Sequence, residues 1–145
     1  MSENPILYIL MPNDIPSMNP GKKMAQAAHA ANLCAKKCQI MENEELKKEF
    51  FLWESESYSD SGFQAFGTTI VLQLPHSEII GMILFAKSLG KLADIVVDGS
   101  YPVNDGSHRH LVSMETCGFI FIEGVKNGVS SCPVKNRLVF YDLHD

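Results

Sequence analysis

The passage from an apolar run into a well-marked helix start constrains the fold of this chain more than any other feature. Residues 5–11 are almost continuously apolar, which is typical of a central strand that is covered on both faces. Residues 12–19 are rich in Pro, Asn, Asp and Ser, which favour turns. Asn19 fits a helix cap and Pro20 fits the first helical position, so the sequence predicts a helix over residues 20–40.

This predicted helix has two distinguishable faces. Lys22, Gln26 and His29 are spaced i, i+4, i+7 and stack on one side, beginning in the first turn, where free N–H groups favour an anion. The same polar stripe is typical of any surface helix. The opposite face carries mostly small apolar side chains, which we expect to be buried against a sheet. They are Met24, Ala27, Ala28, Ala31, Cys34, Ala35 and Cys38.

The rest of the chain alternates between predicted strands and helices. Apolar periodicity and β-branched content predict a helix over residues 43–53, a strand over 67–74, a third helix ending near Gly90, and strands over 92–97 and 116–122. This alternation indicates an α/β fold. We expect a three-layer α/β/α sandwich with a mixed, mostly parallel sheet of about four strands, in a single domain of residues 1–145.

The second half of the chain contains more turn-forming residues. Asp98 ends a predicted strand and is followed by a Gly turn, which places a carboxylate at the rim where α/β proteins form sites. The residues after it, up to about His110, read as a loop. A last helix of one or two turns is predicted to start at Pro133, and residues 137–143 are predicted to add a short edge strand.

Composition limits the classes of function. The chain has 145 residues, of which 46% are hydrophobic, and its 12 basic and 17 acidic residues give a net charge of −5. This charge argues against nonspecific nucleic-acid binding, so a nucleic-acid partner would need a local basic patch. The longest apolar runs are far shorter than the roughly 20 residues that span a bilayer, and the first residues do not resemble an export signal. We therefore expect a cytoplasmic protein with no membrane partner.

Cysteine and histidine spacing does not predict a metal site. Cys34 and Cys38 have no second ligand pair at a suitable spacing, and without an export signal we expect reduced, buried thiols. His108 and His110 are two residues apart, and their side chains diverge unless the backbone is extended. A metal-dependent hydrolase using these two histidines is a weaker alternative. The Gly patterns of dinucleotide and phosphate-binding loops are missing, so no cofactor is predicted.

Several short sequence segments in the first third of the chain resemble the signature of the archaeal/eukaryotic-type peptidyl-tRNA hydrolases. The matching segments are Asn13-Asp14-Ile15, Ser17-Met18, Pro20-Gly21-Lys22, Ala25-Gln26 and His29-Ala30. The resemblance extends over roughly residues 6–122. It implies an α/β fold with a four-stranded mixed sheet, and metal-free hydrolysis of the ester that joins a peptide to the 3′ ribose of tRNA.

The resemblance also implies roles for individual residues. The signature falls on Gly21, Lys22, Gln26 and His29, the acidic residue after the third strand falls on Asp98, and Thr116 begins the last central strand. Independently of the resemblance, ester hydrolysis needs a base for water and a donor for the developing oxyanion. On that chemistry Lys22 would contact the oxyanion or a phosphate, Asp98 or His29 would activate water, and Gln26 would hold water or the ribose. The predicted substrate contacts are Asn19, Gly21, Lys36, Lys37 and Arg109.

The chain departs from this family after Asp98. The family usually continues with Ala-Gly-x-Thr, whereas this chain has Gly99-Ser100-Tyr101-Pro102, so Ser100 or Thr116 would have to supply the hydroxyl. Residues 107–115 read as an insertion. The leading hypothesis is a hydrolase acting on peptidyl-tRNA, and the alternative is a catalytically impaired relative that binds tRNA or another partner through the same face. Self-association into a homodimer is left open.

Overall fold

The computed structural model describes residues 4–56, 65–124 and 132–141. Four strands and four helices lie within these ranges, in the order β1 (Ile6–Pro12), α1 (Pro20–Ile40), α2 (Glu44–Glu54), β2 (Thr69–Leu74), α3 (His76–Ser88), β3 (Leu92–Asp105), β4 (His108–Ile122) and α4 (Pro133–Leu138). None of the helices in these ranges is both long and apolar enough to cross a membrane.

The four strands form one mixed sheet in the order β2-β1-β4-β3. The fold class α/β with a mixed four-stranded sheet is therefore confirmed, but the prediction of a mostly parallel sheet is wrong. Strand β1 pairs with β2 in parallel, whereas β4 is antiparallel to both β1 and β3. Continuous apolar strands indicate coverage of both sheet faces and do not fix strand direction. A two-residue turn between β3 and β4 permits only an antiparallel pair.

Apolar side chains cover both faces of the sheet. Alternate residues of β1 point to opposite sides, so that Leu7 and Ile9 belong to one core cluster and Tyr8 and Leu10 to another. Helices α1 and α2 contribute buried side chains to the first cluster, and α3 and α4 contribute to the second. The sheet therefore separates two packed regions, and α1 lies on the face of the first.

The local signals for the helix ends are confirmed. Helix α1 spans the predicted residues, and the Asn19 side chain accepts a hydrogen bond of 2.9 Å from the Lys22 backbone N–H. Gly90 follows α3 with a φ of 75°, the left-handed conformation that favours glycine. Pro133 is the first residue of α4. The edge strand predicted from residue 137 is wrong up to 141, because α4 continues to Leu138 and turns follow; residues 142 and 143 lie outside the described ranges.

The buried face of α1 differs from the predicted one. Met24 is 69% exposed and Ala28 is also exposed, whereas Gln26 is only 2% exposed and lies in line with Ala30 and Cys34 against the sheet. Hydrophobicity alone could not predict this stripe, because an amide can be buried at little cost only when distant residues satisfy its hydrogen bonds. The buried stripe of α1 therefore includes one of the predicted site residues.

The predicted loop after Asp98 is wrong, because this segment and residues 107–115 are parts of a long hairpin. The interpretation of residues 107–115 as an insertion relative to the resembling family stays a prediction. Strands β3 and β4 remain paired out to Asp105 and His108. The connection is Gly106-Ser107, and Gly106 has a φ of 61°, which suits the tight two-residue turns of hairpins. Cross-strand hydrogen bonds thus override the turn preference of the individual residues in this segment.

A charged cluster stands at the outer strand β3. The Asp94 carboxylate contacts the ammonium groups of Lys37 on α1 and of Lys87 on α3, the latter at 3.1 Å. Partial burial of Asp94 opposes its ionisation, but hydrogen bonds from Lys37, from the Ile95 backbone N–H and from Lys87 outweigh that effect and lower the pKa of Asp94. The outer strand is thereby joined to helices of both core regions.

Candidate functional site

Two irregularities in the pairing of β3 with β4 shape the candidate site. In the first, Val96 alone lies opposite Thr116 and Cys117; in the second, Gly99 and Ser100 lie opposite a single residue of β4. Such bulges redirect side chains and increase the local twist of a sheet. The expectation that Asp98 ends a strand and precedes a turn is therefore corrected, since Asp98 lies inside β3 immediately before the second bulge.

A chain of hydrogen bonds joins Thr116, Gln26 and Asp98. The Thr116 hydroxyl donates to Gln26 Oε1 at 2.6 Å, and Gln26 Nε2 donates to Asp98 Oδ2 at 2.8 Å. Thr116 and Gln26 are buried, so their polar atoms depend on these partners. An ionised carboxylate can only accept hydrogen bonds, and this fixes which end of the amide faces Asp98 and makes Thr116 the donor at the other end.

Asp98 is surrounded by groups that favour its charged form. Its Oδ1 accepts a hydrogen bond of 2.8 Å from the Ser100 backbone N–H, and its Oδ2 lies 3.9 Å from His29 Nε2. Desolvation by burial acts to raise the pKa of Asp98, but the hydrogen bonds from Gln26 and Ser100 and the nearby His29 outweigh it and lower the pKa below the usual value. Asp98 is thus a fixed negative charge at neutral pH.

The ammonium group of Lys22 is held beside the start of α1. Its Nζ donates to the Ser17 carbonyl oxygen at 3.0 Å and lies 5.0 Å from the centre of the Tyr101 ring, within the range of a cation–π contact. The Tyr101 hydroxyl in turn lies 3.2 Å from Ser17 Oγ. Sequence reasoning missed Tyr101, because it falls in the segment that was predicted as a loop, and only its aromatic character gave a signal.

Most of the residues predicted for the site line one open cavity of about 530 Å³, which we call the helix-start cavity. Lys22 and Asp98 both line this cavity. Pro102 lines it as well, and it stands at the position where the peptidyl-tRNA hydrolases that the sequence resembles usually have Thr. Thr116 is buried behind this wall and is connected to the cavity through Gln26. The lining residues are Asn19, Gly21, Lys22, Ala25, Gln26, His29, Asp98, Ser100 and Pro102.

A second cavity of about 290 Å³ lies between α1 and β3, and we call it the edge cavity. It shares His29 and Asp98 with the helix-start cavity, so the two spaces adjoin at this pair. Lys36, which was predicted to bind substrate, lines the edge cavity instead of the helix-start cavity. The lining residues are His29, Asn32, Leu33, Lys36, Val96, Val97, Asp98 and Gly99.

The remaining predicted phosphate contacts lie elsewhere. Lys37 is paired with Asp94 at the sheet edge. Arg109 lies near the hairpin turn, where its Nε donates to Asn104 Oδ1 at 3.3 Å. Asn104 is six residues beyond Asp98 on the same strand, a distance of about 20 Å at roughly 3.3 Å per residue. The structure therefore does not bring Lys36, Lys37 and Arg109 together as one basic patch.

The four thiols and His110 lie outside the two cavities. Cys34, Cys38 and Cys117 are buried free thiols and Cys132 is partly buried, and burial raises the pKa of both Cys34 and Cys117 to about 12. His110 Nε2 lies 3.7 Å from Asp105 Oδ2 on the hairpin. In the described parts of the chain, no group of three or more His, Cys, Asp or Glu side chains is arranged to hold a metal.

Comparison of the sequence with models of known protein families gives no match, and comparison with curated proteins gives none either. The functional argument consequently depends on the arrangement of the side chains around the two cavities. In that arrangement an ammonium, a carboxylate, an imidazole and a hydroxyl face a common space. These are groups that can bind an ester, polarise it and supply it with an activated water molecule.

Proposed function

We propose that this protein hydrolyses the ester between a peptide, or an N-blocked amino acid, and the 3′ ribose of tRNA. The observation that carries the proposal is that Gln26 joins Asp98 to Thr116 while Lys22 and His29 line the same cavity. This is the residue set that the resemblance to archaeal/eukaryotic-type peptidyl-tRNA hydrolases implies. A three-layer α/β/α sandwich, a cytoplasmic location and a peptidyl-tRNA partner belong to the same proposal.

Lys22 is the proposed partner of the oxyanion. Ester hydrolysis develops negative charge on the carbonyl oxygen, and a preorganised donor stabilises that charge. An ammonium group has three donors, and the contact with Ser17 uses one of them. Its position in the first turn of α1 adds the positive end of the helix dipole. The Tyr101 ring beneath the ammonium limits where it can move.

His29 is the proposed general base. The low pKa of Asp98 makes this carboxylate a weak proton acceptor, but a strong electrostatic partner for a neighbouring imidazolium. The His29 side chain is 50% exposed and lies 3.9 Å from Asp98, so it can reach a water molecule in the cavity and hold the proton that the water loses. Gln26 then has a positioning role, because it fixes the carboxylate that faces His29.

Ser100 is the proposed source of the hydroxyl that the family pattern supplies through Thr. The Thr116 hydroxyl is buried and engaged with Gln26, so it is not presented to a substrate. Ser100 lines the helix-start cavity beside Asp98. Pro102 stands at the family's Thr position and has no hydroxyl. In this proposal Ser100, two positions earlier on the bulge, supplies that hydroxyl instead.

The test is the release of an N-blocked amino acid from aminoacyl-tRNA by the purified protein. We expect Lys22→Ala and His29→Ala each to lower kcat by about 10²- to 10³-fold. Lys48→Ala is the matched control, because Lys48 is an exposed lysine of α2 that lines neither cavity. Absence of cleavage above background, or full activity in both site variants, would contradict the proposal.

A second candidate function is tRNA binding without turnover. It is favoured by Pro102, which stands on the cavity wall where the resemblance implies a hydroxyl. In that case the protein binds tRNA in a saturable manner that weakens as salt increases, and it releases no amino acid. Measuring binding and cleavage on the same preparation separates the two functions.

A further inference from the structure

The edge cavity has features of a ligand site in its own right. Helix α1 contributes His29, Asn32, Leu33 and Lys36, which are spaced i, i+3, i+4, i+7 and so form one stripe facing β3. Because β3 is the outer strand of the sheet that the described residues form, this groove lies at the edge of the sheet. Its volume of about 290 Å³ is at the lower limit of small-molecule pockets, which suits a single nucleotide.

The side chains along this stripe differ in chemistry from one end to the other. At the end shared with the helix-start cavity lie His29 and Asp98. In the middle, Asn32 offers an amide donor and acceptor beside the apolar Leu33 and the exposed Val97. At the far end is Lys36, for which no ion pair is found among the described residues, in contrast to the adjacent lysine paired with Asp94.

We propose that the edge cavity binds the 3′-terminal adenosine nucleotide of tRNA. This inference rests on the proposed function, since it places the ester at the border where His29 and Asp98 meet both cavities. Asn32 would pair with the adenine edge, as Asn does with adenine in other nucleic-acid complexes, while Leu33 and Val97 contact the face of the base. The peptide then occupies the helix-start cavity.

The spacing along α1 agrees with this orientation. Seven residues separate His29 from Lys36, a rise of about 10 Å at roughly 1.5 Å per residue. Helical Cα–Cβ bonds tilt toward the N-terminus, so the Lys36 side chain, which lines the cavity, can extend back toward its centre. One nucleotide therefore fits with its 3′ oxygen near His29 and its 5′ phosphate near Lys36.

The first test measures binding of adenosine 5′-monophosphate by titration calorimetry. We expect saturable binding that is about tenfold weaker in Asn32→Ala, and about fivefold weaker and less salt-dependent in Lys36→Ala. Lys48→Ala leaves the affinity unchanged. Cytidine 5′-monophosphate binds more weakly than the adenosine nucleotide. Equal affinity for the two nucleotides, or no effect of either site variant, would overturn the proposal.

The second test distinguishes a tRNA end from a free nucleotide. Uncharged tRNA with the complete CCA end is compared with tRNA that lacks the terminal adenosine. We expect removal of that adenosine to weaken binding about tenfold in the unmodified protein and to have little effect in Asn32→Ala. If both tRNAs bind equally while the mononucleotide still binds, the cavity takes free nucleotides and the tRNA assignment is wrong.

These measurements separate the inference from the proposed hydrolase function. Neither binding measurement requires turnover. Adenosine-dependent binding by a protein that cleaves no ester would therefore refute only the proposed hydrolase activity. Conversely, ester cleavage by a protein whose binding ignores the terminal adenosine would refute only the role of the edge cavity. Asn32 and Lys36 are both exposed, so their substitution is expected to leave the unfolding temperature almost unchanged, which a thermal unfolding measurement checks.

Discussion

Gln26 Nε2 donates a hydrogen bond to Asp98 Oδ2 across 2.8 Å, although the two residues are 72 positions apart in the sequence. This bond joins the buried stripe of α1 to the bulge of β3. Since Gln26 also accepts from Thr116, one amide holds the helix, the outer strand and the neighbouring strand β4 in register with one another. The geometry of the candidate site therefore depends on a group that is almost fully buried.

Replacing Gln26 by Glu removes the amide N–H that donates to Asp98 and so tests this hydrogen bond directly. In Gln26→Glu a second carboxylate faces Asp98, and we expect the free energy of unfolding at pH 7 to fall by about 3 kcal/mol. The carboxyl pair then shares a proton with a raised pKa, so stability is recovered at acidic pH and is lost as the pH rises. Chemical denaturation at pH 5 and pH 8 measures this. Gln39→Glu, at an exposed position of α1, is the control, and similar losses in both variants would contradict the interpretation.

The Thr116 hydroxyl can be removed without changing the shape of the side chain. Thr116→Val leaves Gln26 Oε1 buried without its 2.6 Å donor, and we expect a loss of about 1–3 kcal/mol in unfolding free energy together with a higher pKa for Asp98. Thr116→Ser keeps the hydroxyl and loses a methyl group, at about 1 kcal/mol, with the Asp98 pKa unchanged. Carboxyl-carbon NMR titration distinguishes the two variants. An unchanged Asp98 pKa in the valine variant would show that Gln26 is held by other contacts.

The lowered pKa of Asp98 predicts a specific pH dependence of stability. The unfolded chain binds a proton at Asp98 near its ordinary pKa of about 3.9, and the folded protein does so only at lower pH. Asp98 therefore contributes stability above that value, and the contribution disappears as the pH falls through the folded pKa. Asp98→Asn is expected to flatten the unfolding free energy over this acidic window. Glu42→Gln, at an exposed position between α1 and α2, is the control and is expected to retain the pH profile of the unmodified protein.

Two glycines are expected to respond in opposite directions. Gly106 has a φ of 61° in the hairpin turn, so Gly106→Val forces a branched side chain into the left-handed region and costs about 1–2 kcal/mol. Gly81 lies on the exposed side of α3 with open space around it, so Gly81→Ala stabilises the protein by about 0.5–1 kcal/mol. Urea unfolding measures both changes. A stabilising Gly106→Val would refute the turn geometry.

The parts of the fold that were predictable are encoded locally. The bounds of α1 follow from Asn19 and Pro20, whose capping chemistry acts within one helical turn. The central strand β1 follows from an apolar run that is buried on both faces. Lys22 and Asp98, which the resemblance implies for one site, line the same cavity.

The parts that could not be predicted depend on distant partners. Burial of Gln26 is stable only because Thr116 lies 90 positions away with its hydroxyl in reach. The hairpin contains Asn104, Gly106 and other turn-forming residues, and its extension depends on cross-strand pairing that single-residue preferences do not report. Tyr101 became a part of the site only through that hairpin, which brings its ring under the ammonium of Lys22.

The contact of Asp94 with Lys37 and Lys87 has a consequence for solutions of the protein at high concentration. Within residues 4–56, 65–124 and 132–141, no strand pairs with the outer side of β3. An unpaired strand edge is where a foreign strand can attach and begin a fibril. An incoming strand would have to displace two lysine head groups that arrive from opposite faces and are anchored by one carboxylate. This arrangement guards the molecule against edge-to-edge aggregation at that border.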